Sequence, residues 1–457
     1  MSDAATVPQF PEIKTALPGP NMIALKATDD QYMSPSYTRG YPLSIKSGQG
    51  CMVEDVDGNW FLDFCAGIAV CSTGHSHPRV VQAIADQAAK YLHMSGTDFY
   101  YNPMVDLARR LDETSPGSTP KKVFFGNSGA EAIEGALKLA RHYTKRQTII
   151  SFYRSFHGRT YGAMSVCASK AIHRRHFSPM MASVQHGHYP YPLRPFFGHR
   201  NPEDEAAACL EFINDHLFKM LVKPDEVAGI IVEPIQGEGG YVVPPANWLP
   251  GLRQLCDEHG IMLIADEVQA GVGRTGEMWA CQHDGIEPDI IASAKGLASG
   301  MPLSAIIAKA EIMNWEPGTH ATTFGGNPVC CAAAIETIDL IEGGLKQQAA
   351  RMGQVLMSGL QGLVDKYDCL AEVRGRGLMV GLEVVKPGTA GTKGADYPGD
   401  KDGDGRNWLV DQCFEHGLLL LGCGENTIRF SPPLVVSEAQ VHKAVEILET
   451  VVRQYKG

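Results

Sequence analysis

The sequence predicts an α/β protein: a large domain on a mainly parallel sheet, joined to a smaller α+β domain. Three observations predict it. Between about residues 77 and 310, short apolar runs alternate with helical patterns, the order that builds a parallel sheet with crossover helices. Several of those runs are continuously apolar rather than alternating, as strands covered on both faces are. After about residue 330 the alternation stops and a different mixture of helices and short strands begins.

Taken in order, residues 1–40 are rich in Pro, Ser and Thr and read as an extended arm. "GCMVEDVDGNWFLDF" (50–64) reads as two short strands around the turn signal Asp57-Gly58. The strands of the large domain are "KKVFF", "TIISF", "VAGIIVEP", "IMLIADE" and "DIIASA". An Ala-rich helix, "CCAAAIETIDLIEGG", then leads to "VRGRGLMVGLEVV", a further helix, "GLLLLGCG" and "TIRFSPPLVV". The 50–64 hairpin is the expected partner of these C-terminal strands. The division is therefore 1–70 (arm and part of the small domain), 71–329 (large domain) and 330–457 (remainder of the small domain).

A chain of 457 residues, 44% hydrophobic, buries about three quarters of its unfolded surface and needs no staples. A formal net charge of −11 argues against nucleic-acid or anionic-membrane partners, while leaving room for a local basic pocket. The 12 cysteines are scattered with no CxxC pair, which fits reduced thiols in the cytoplasm. Residues 1–20 lack a basic region followed by an apolar core, so no signal peptide is read. No apolar run reaches transmembrane length.

Three stretches carry chemistry. In "KKVFFGNSGAEAIEGALKLARHY" a strand leads through Gly126-Asn127-Ser128-Gly129 into a helix with Ala130, Ile133, Ala136, Leu137 and Ala140 on one face. Ser128 and Glu131 have capping-box spacing. A small-residue turn at a helix N-terminus offers backbone N–H groups and the positive dipole end to a phosphate. The plain alternative is a capped helix after a strand. In "GIMLIADEVQAGVGRTG" the strand ends on Asp266, where parallel sheets bind ligands. Buried, that carboxylate needs a cation: a protonated heterocycle nitrogen, or an arginine such as Arg274. Gly271, Gly273 and Gly276 spell G-x-G-x-x-G, but Asp266–Gln269 intervene after the strand and no amphipathic helix opens, which counts against a dinucleotide site. In "DIIASAKGLASG", Lys295 ends an apolar run among small residues. A buried lysine loses its charge readily and can form a Schiff base. A phosphate cradle, a carboxylate for a ring nitrogen and an amine for an aldehyde are the handles of pyridoxal phosphate.

With these residues in place, the chain resembles the class III (ω-) aminotransferases, fold-type I pyridoxal-phosphate enzymes. The resemblance rests on "LIADEVQAGVGRTG", the Lys295 strand, "FFGNSGAEA", "SFHGRTYGAMS", "VEPIQGEGG", "TTFGGNP" and "IRFSPPL", in order from about residue 40 to 450. It implies that Lys295 attaches the cofactor and shuttles the proton, and that Asp266 keeps the ring nitrogen protonated. It implies that Gln269 bonds the ring hydroxyl region, that Val268 and Phe156 cover the two ring faces, and that His157 belongs to the same cofactor set. Ser128, Gly129 and Ala130 would bind the phosphate, with Thr323 reaching it from a second subunit of a homodimer or dimer of dimers. Arg159 would hold a distal carboxylate. Glu238 would neutralise Arg429 until Arg429 takes the α-carboxylate of 2-oxoglutarate. Ile68 stands where 4-aminobutyrate and acetylornithine enzymes tend to have isoleucine. The expected reaction is 4-aminobutyrate with 2-oxoglutarate. The alternatives are ornithine, acetylornithine or lysine ω-transamination, or amino-acid racemisation by the same family, against which Phe156 and Arg159 count. A catalytically silent binding protein on this fold is the remaining class, and the intact Lys295, Asp266 and Arg159 weigh against it.

Two further signals read as structural. Asp400, Asp402, Asp404, Gly405 and Asp411 approach calcium-loop spacing, but no entering helix precedes them, and a solvated acidic loop is expected. "HSH", "HRRH" and "HGH" lack the helical spacing of a metal site, so no metal is expected.

Overall fold

The computed structural model describes residues 7–457; residues 1–6, the start of the expected arm, lie outside the described residues. The chain forms two compact units, one from the described part of Met1–His77 with Gln348–Gly457, the other Pro78–Gln347.

The larger unit carries the sheet. Its strands are β1 (Lys121–Gly126), β2 (Thr148–Phe152), β3 (Val184–Gly187), β4 (Val227–Val232), β5 (Met262–Asp266), β6 (Ile290–Ser293) and β7 (Ser304–Lys309), in spatial order β1-β7-β6-β5-β4-β2-β3. β3, β2, β4, β5 and β6 pair in parallel; β7 runs antiparallel between β6 and β1. The five strands read from sequence are all present. β2, β4, β5 and β6 are buried at every position, as their unbroken apolar runs require. β3 and β7 were not read: β3 has only partly buried residues before Gly187, and β7 follows a short turn that looks like loop. The helix α1 (Gly129–Thr144) packs Ile133, Ala136, Leu137 and Ala140 into the core with strand residues Ile231, Ile264, Ile290 and Ile306. Residues 271–276 form turns and a bend, followed only by the short 3-10 helix Ala280–Asp284.

The Ala-rich helix Pro328–Leu340, expected in the small domain, belongs to this larger unit, so the second boundary falls at 347 rather than 329. It packs along helices Pro78–Ala88 and Asn102–Thr114, and small side chains at Ala332–Ala334 let them approach.

In the other unit Ile45–Gln49, Met52–Asp55 and Trp60–Asp63 form an antiparallel meander whose last turn holds Asp57-Gly58. Only the two-residue strand Leu418–Leu419 joins it, in parallel with Trp60–Asp63. The other C-terminal strands pair with one another instead, in the order Leu370–Arg376, Met379–Val384, Thr427–Phe430, Leu421–Cys423. The tight turn at Gly377 makes Met379–Val384 the immediate neighbour of Leu370–Arg376 and closes that sheet locally. The expected extended arm contains a helix, Pro20–Tyr32, with no buried residue. Its cap comes from outside: Asp57 Oδ1 and Oδ2 accept from the backbone N–H groups of Asn21 and Met22, at 2.9 and 3.0 Å. Among the described residues no helix is long and apolar enough to cross a membrane.

Candidate active site

Parallel pairing of β5 with β6 sets Asp266 opposite Ala292, so Asp266 and Lys295 leave neighbouring strands at the same sheet edge. Asp266 is 4% exposed. Its partner is His157, Nδ1 to Oδ2 at 2.6 Å, rather than Arg274. Its Oδ1 accepts from the Val268 N–H at 3.0 Å, which curls the chain back over the strand end. His157 is itself buried, with Ser151 Oγ 3.5 Å from its Nε2. Lys295 is half-buried and sits at φ 39°, a left-handed backbone that residues other than glycine seldom adopt.

The N-terminus of α1 reaches the same place. Ser128 caps it, accepting from Glu131 N–H at 3.3 Å. The expected reciprocal bond is displaced by one residue: Glu131 Oε2 accepts from the backbone and side-chain nitrogens of Asn127, each at 2.9 Å. A Cβ on Gly129 would come within 2.9 Å of Val268 Cγ1 and 3.8 Å of Ala294 Cβ. Glycine is what lets the helix end touch both the segment after Asp266 and the residue before Lys295. Gly158, at φ 140°, does the same for the next segment, since a Cβ there would lie 2.8 Å from Ala130 Cβ.

Phe156 is half-buried, and the Arg159 guanidinium lies 5.5 Å from its ring centre. Gln269 backs onto Gly237, and its buried Oε1 is unengaged. Glu238 Oε1 accepts from Lys170 Nζ at 2.6 Å, a partner within its own unit that sequence reasoning did not name. Thr323 is exposed, beside Phe324 at 61% exposure. Ile68 and Arg429 lie in the other unit. Ile68 is exposed on the short, kinked helix Ala66–Ala69; Arg429 is 6% exposed on the strand Thr427–Phe430, with the Cys65 thiol in its field.

Glu233, immediately after β4, was also missed. Burial pushes its carboxyl up to about 7, and the Asp266 charge adds to that, while His157 and two backbone N–H groups pull the other way. Two buried carboxylates thus lie in the field of one imidazole, which is bonded to Asp266. A protonated ring nitrogen at Asp266 balances that cluster, and a phosphate suits the end of α1. The residues present therefore fit pyridoxal phosphate on chemistry and placement alike.

"HSH" serves locally: His75 Nε2 pairs with Asp63 Oδ2 at 2.7 Å. The acidic stretch is not the solvated loop expected. Asp402 is buried and caps the helix Gly403–Glu415 through Gly405 N–H at 2.8 Å, which spends its charge on the helix end.

The family described as aminotransferase class-III matches residues 32–452. An alanine/serine racemase of Pyrococcus horikoshii is 36% identical, covering 97% of this chain and 93% of its own. A 4-aminobutyrate aminotransferase of Mycobacterium tuberculosis is 37% identical, covering 97% and 98%. The crystal structure of a PLP-bound amine transaminase from an uncultivated Pseudomonas species superposes with a TM-score of 0.84 at 30% identity, covering 93% of this chain and 98% of that one.

Proposed function

This chain belongs to the class-III aminotransferases and is a pyridoxal-phosphate-dependent enzyme of that family, and from this premise we propose that it transfers the amino group of an ω-amino acid, 4-aminobutyrate, to 2-oxoglutarate. The observation that carries the reading is the convergence, at one sheet edge, of Lys295, the Asp266–His157 pair and the Ser128–Gly129 helix end. When bound, pyridoxal phosphate supplies an aldehyde for an amine and a ring that accepts the electron pair of a broken C–H bond. Lys295 would attach the cofactor's aldehyde carbon and would take and return the proton at its Nζ. Asp266 accepts from the ring N–H, and His157 holds that carboxylate in place. Ser128, Gly129 and Ala130 would hold the phosphate at the end of α1. Val268 and Phe156 would cover the ring, and Gln269 would bond its hydroxyl region.

Arg159 favours a donor with a distal carboxylate, since a guanidinium fork pairs with one in two parallel bonds. Lys170 gives Glu238 a counter-ion within its own unit, and Arg429 is kept as the group that would take the oxo-acid carboxylate. Thr323 completes the phosphate site of a partner subunit. Exposed apolar side chains around its loop support a homodimer: Leu92, Phe99, Tyr100 and Phe324. Bonds from Thr97 Oγ1 to Thr322 O and from Asn327 Nδ2 to Leu92 O tie the segments together. Twelve free thiols, eleven of them buried, fit a reducing cytoplasm.

The racemase relative favours a second reading, amino-acid racemisation on the same residues. Single half-reactions decide. 4-Aminobutyrate, ornithine, N-acetylornithine and L-leucine are added separately to the holoenzyme with no oxo acid, and the cofactor's visible band is followed. 4-Aminobutyrate is expected to bleach it fastest and 2-oxoglutarate to restore it. An inert 4-aminobutyrate, with an L-amino acid losing optical rotation without an acceptor, replaces the first reading by the second.

A further inference from the structure

Glu233 is the first residue past β4, and β4 lies between β5 and β2. Val232 is in register with Ala265, so Glu233 stands beside Asp266. Its carboxylate, 6% exposed, divides between two segments. Oε2 accepts from the Phe156 N–H at 3.1 Å and Oε1 from the Gly237 N–H at 3.0 Å. The same segments are fastened twice more. Gln236 Nε2 donates to Tyr153 O at 2.9 Å, and a Cβ on Gly239 would lie 2.7 Å from Arg154 O. One segment bears Phe156 and Arg159; the other bears Glu238.

We propose that Glu233 is a positioning residue that fixes the spacing between the Phe156–Arg159 segment and the Glu238 loop, and thereby sets how the site discriminates substrates by their carboxylates. The proposal rests on the reading of Arg159 and Glu238 as substrate-facing groups. The ionised carboxylate accepts from both N–H groups with its full charge, whereas protonation puts a hydrogen on one oxygen that competes with the N–H it accepts from. The groups facing it are Asp266 from β5 and His157 and Cys167 from the segment after β2. With its midpoint at about 7, the clasp is closed above neutrality and loses one of its two bonds below it.

The test is Glu233→Gln in the holoenzyme, which keeps size but turns an NH2 group toward one of the two N–H donors. The readout is kcat/KM for 4-aminobutyrate relative to n-butylamine, which has no carboxylate, between about pH 6 and pH 8.5. The wild type is expected to gain selectivity for 4-aminobutyrate as pH rises through about 7. The variant loses about tenfold of that selectivity at high pH, a loss the size of one charge-assisted bond. It also loses the inflection. A variant that keeps the wild-type ratio or the wild-type inflection overturns the proposal. Amide hydrogen exchange on the wild-type holoenzyme needs no variant and no substrate. Corrected for intrinsic rates, protection falls below about pH 7 at whichever of Phe156 and Gly237 faces the protonated oxygen; protection indifferent to pH at both overturns the clasp. If neither amine reacts, the aminotransferase reading of the substrate fails, and the exchange result still decides Glu233.

Discussion

Asp266 and Lys295 were legible because each announces itself locally: a carboxylate ending one apolar strand, an amine ending the next. Their partners were not. His157 is 109 residues from Asp266 in sequence, and nothing in "SFHGRT" says that its ring faces a carboxylate rather than solvent. Glu233 was invisible for the same reason, since both its donors are backbone N–H groups that only the folded loop brings to it. The pair makes a sharp prediction. Asp266→Asn removes the charge that faces the ring nitrogen while keeping a group that accepts from Val268 N–H. A preorganised charge of this kind is worth about 10²–10³ in kcat. Turnover is expected to fall by that factor with cofactor still bound, measured by half-reaction rates alongside the cofactor's absorbance. Near wild-type turnover would show that Asp266 serves His157 and not the ring.

At the scale of elements, the parallel strands could be read because burial on both faces leaves no polar alternation to confuse the pattern. β7 could not, because an antiparallel strand inserted between β1 and β6 has no crossover helix to announce it. The helix Pro20–Tyr32 was missed because Asp57, far along the chain, supplies its cap. The meeting of α1 with the strand ends is where element geometry becomes function. Gly129→Ala places a methyl 2.9 Å from Val268 Cγ1, closer than carbon atoms pack, so Val268 or the helix end must shift. Cofactor affinity is expected to weaken about tenfold, the lower end of an overpacking cost, when apoprotein is titrated with pyridoxal phosphate. Gly362→Ala is the control. It lies in the helix Lys346–Val364 with open space around it, and there alanine is neutral or slightly stabilising. Equal affinities for wild type and Gly129→Ala would mean that the contact is not part of the cradle.

For the whole molecule, composition and strand order predicted the two-part architecture, but the boundary near residue 347 depends on helix packing that local pattern does not encode. Charge placement has a molecular consequence too. Burial alone would lower the His75 pKa, yet the Asp63 and Cys71 side chains outweigh it and raise the imidazole to about 10. The folded chain therefore holds a proton that the unfolded chain releases from about pH 6.5 upward. The stability it confers is complete below 6.5 and is lost as pH rises through about 10. Glu233 and Glu267 act in an earlier window: both are raised by burial to about 7, so their protons are released with a loss of stability between about 4.5 and 7. His186 opposes them on the acid side, because burial lowers it to about 4 and folding then resists its protonation below 6.5. Between about pH 8.5 and 9.5 the two glutamates and His186 have finished titrating, and His75 dominates among these groups. Its slope is at most about 1.4 kcal/mol per pH unit. The urea midpoint of the wild type is expected to fall across that range, and that of His75→Asn to start lower and change less. Parallel slopes for the two proteins would place the alkaline loss elsewhere and leave the Asp63–His75 pair without a part in it.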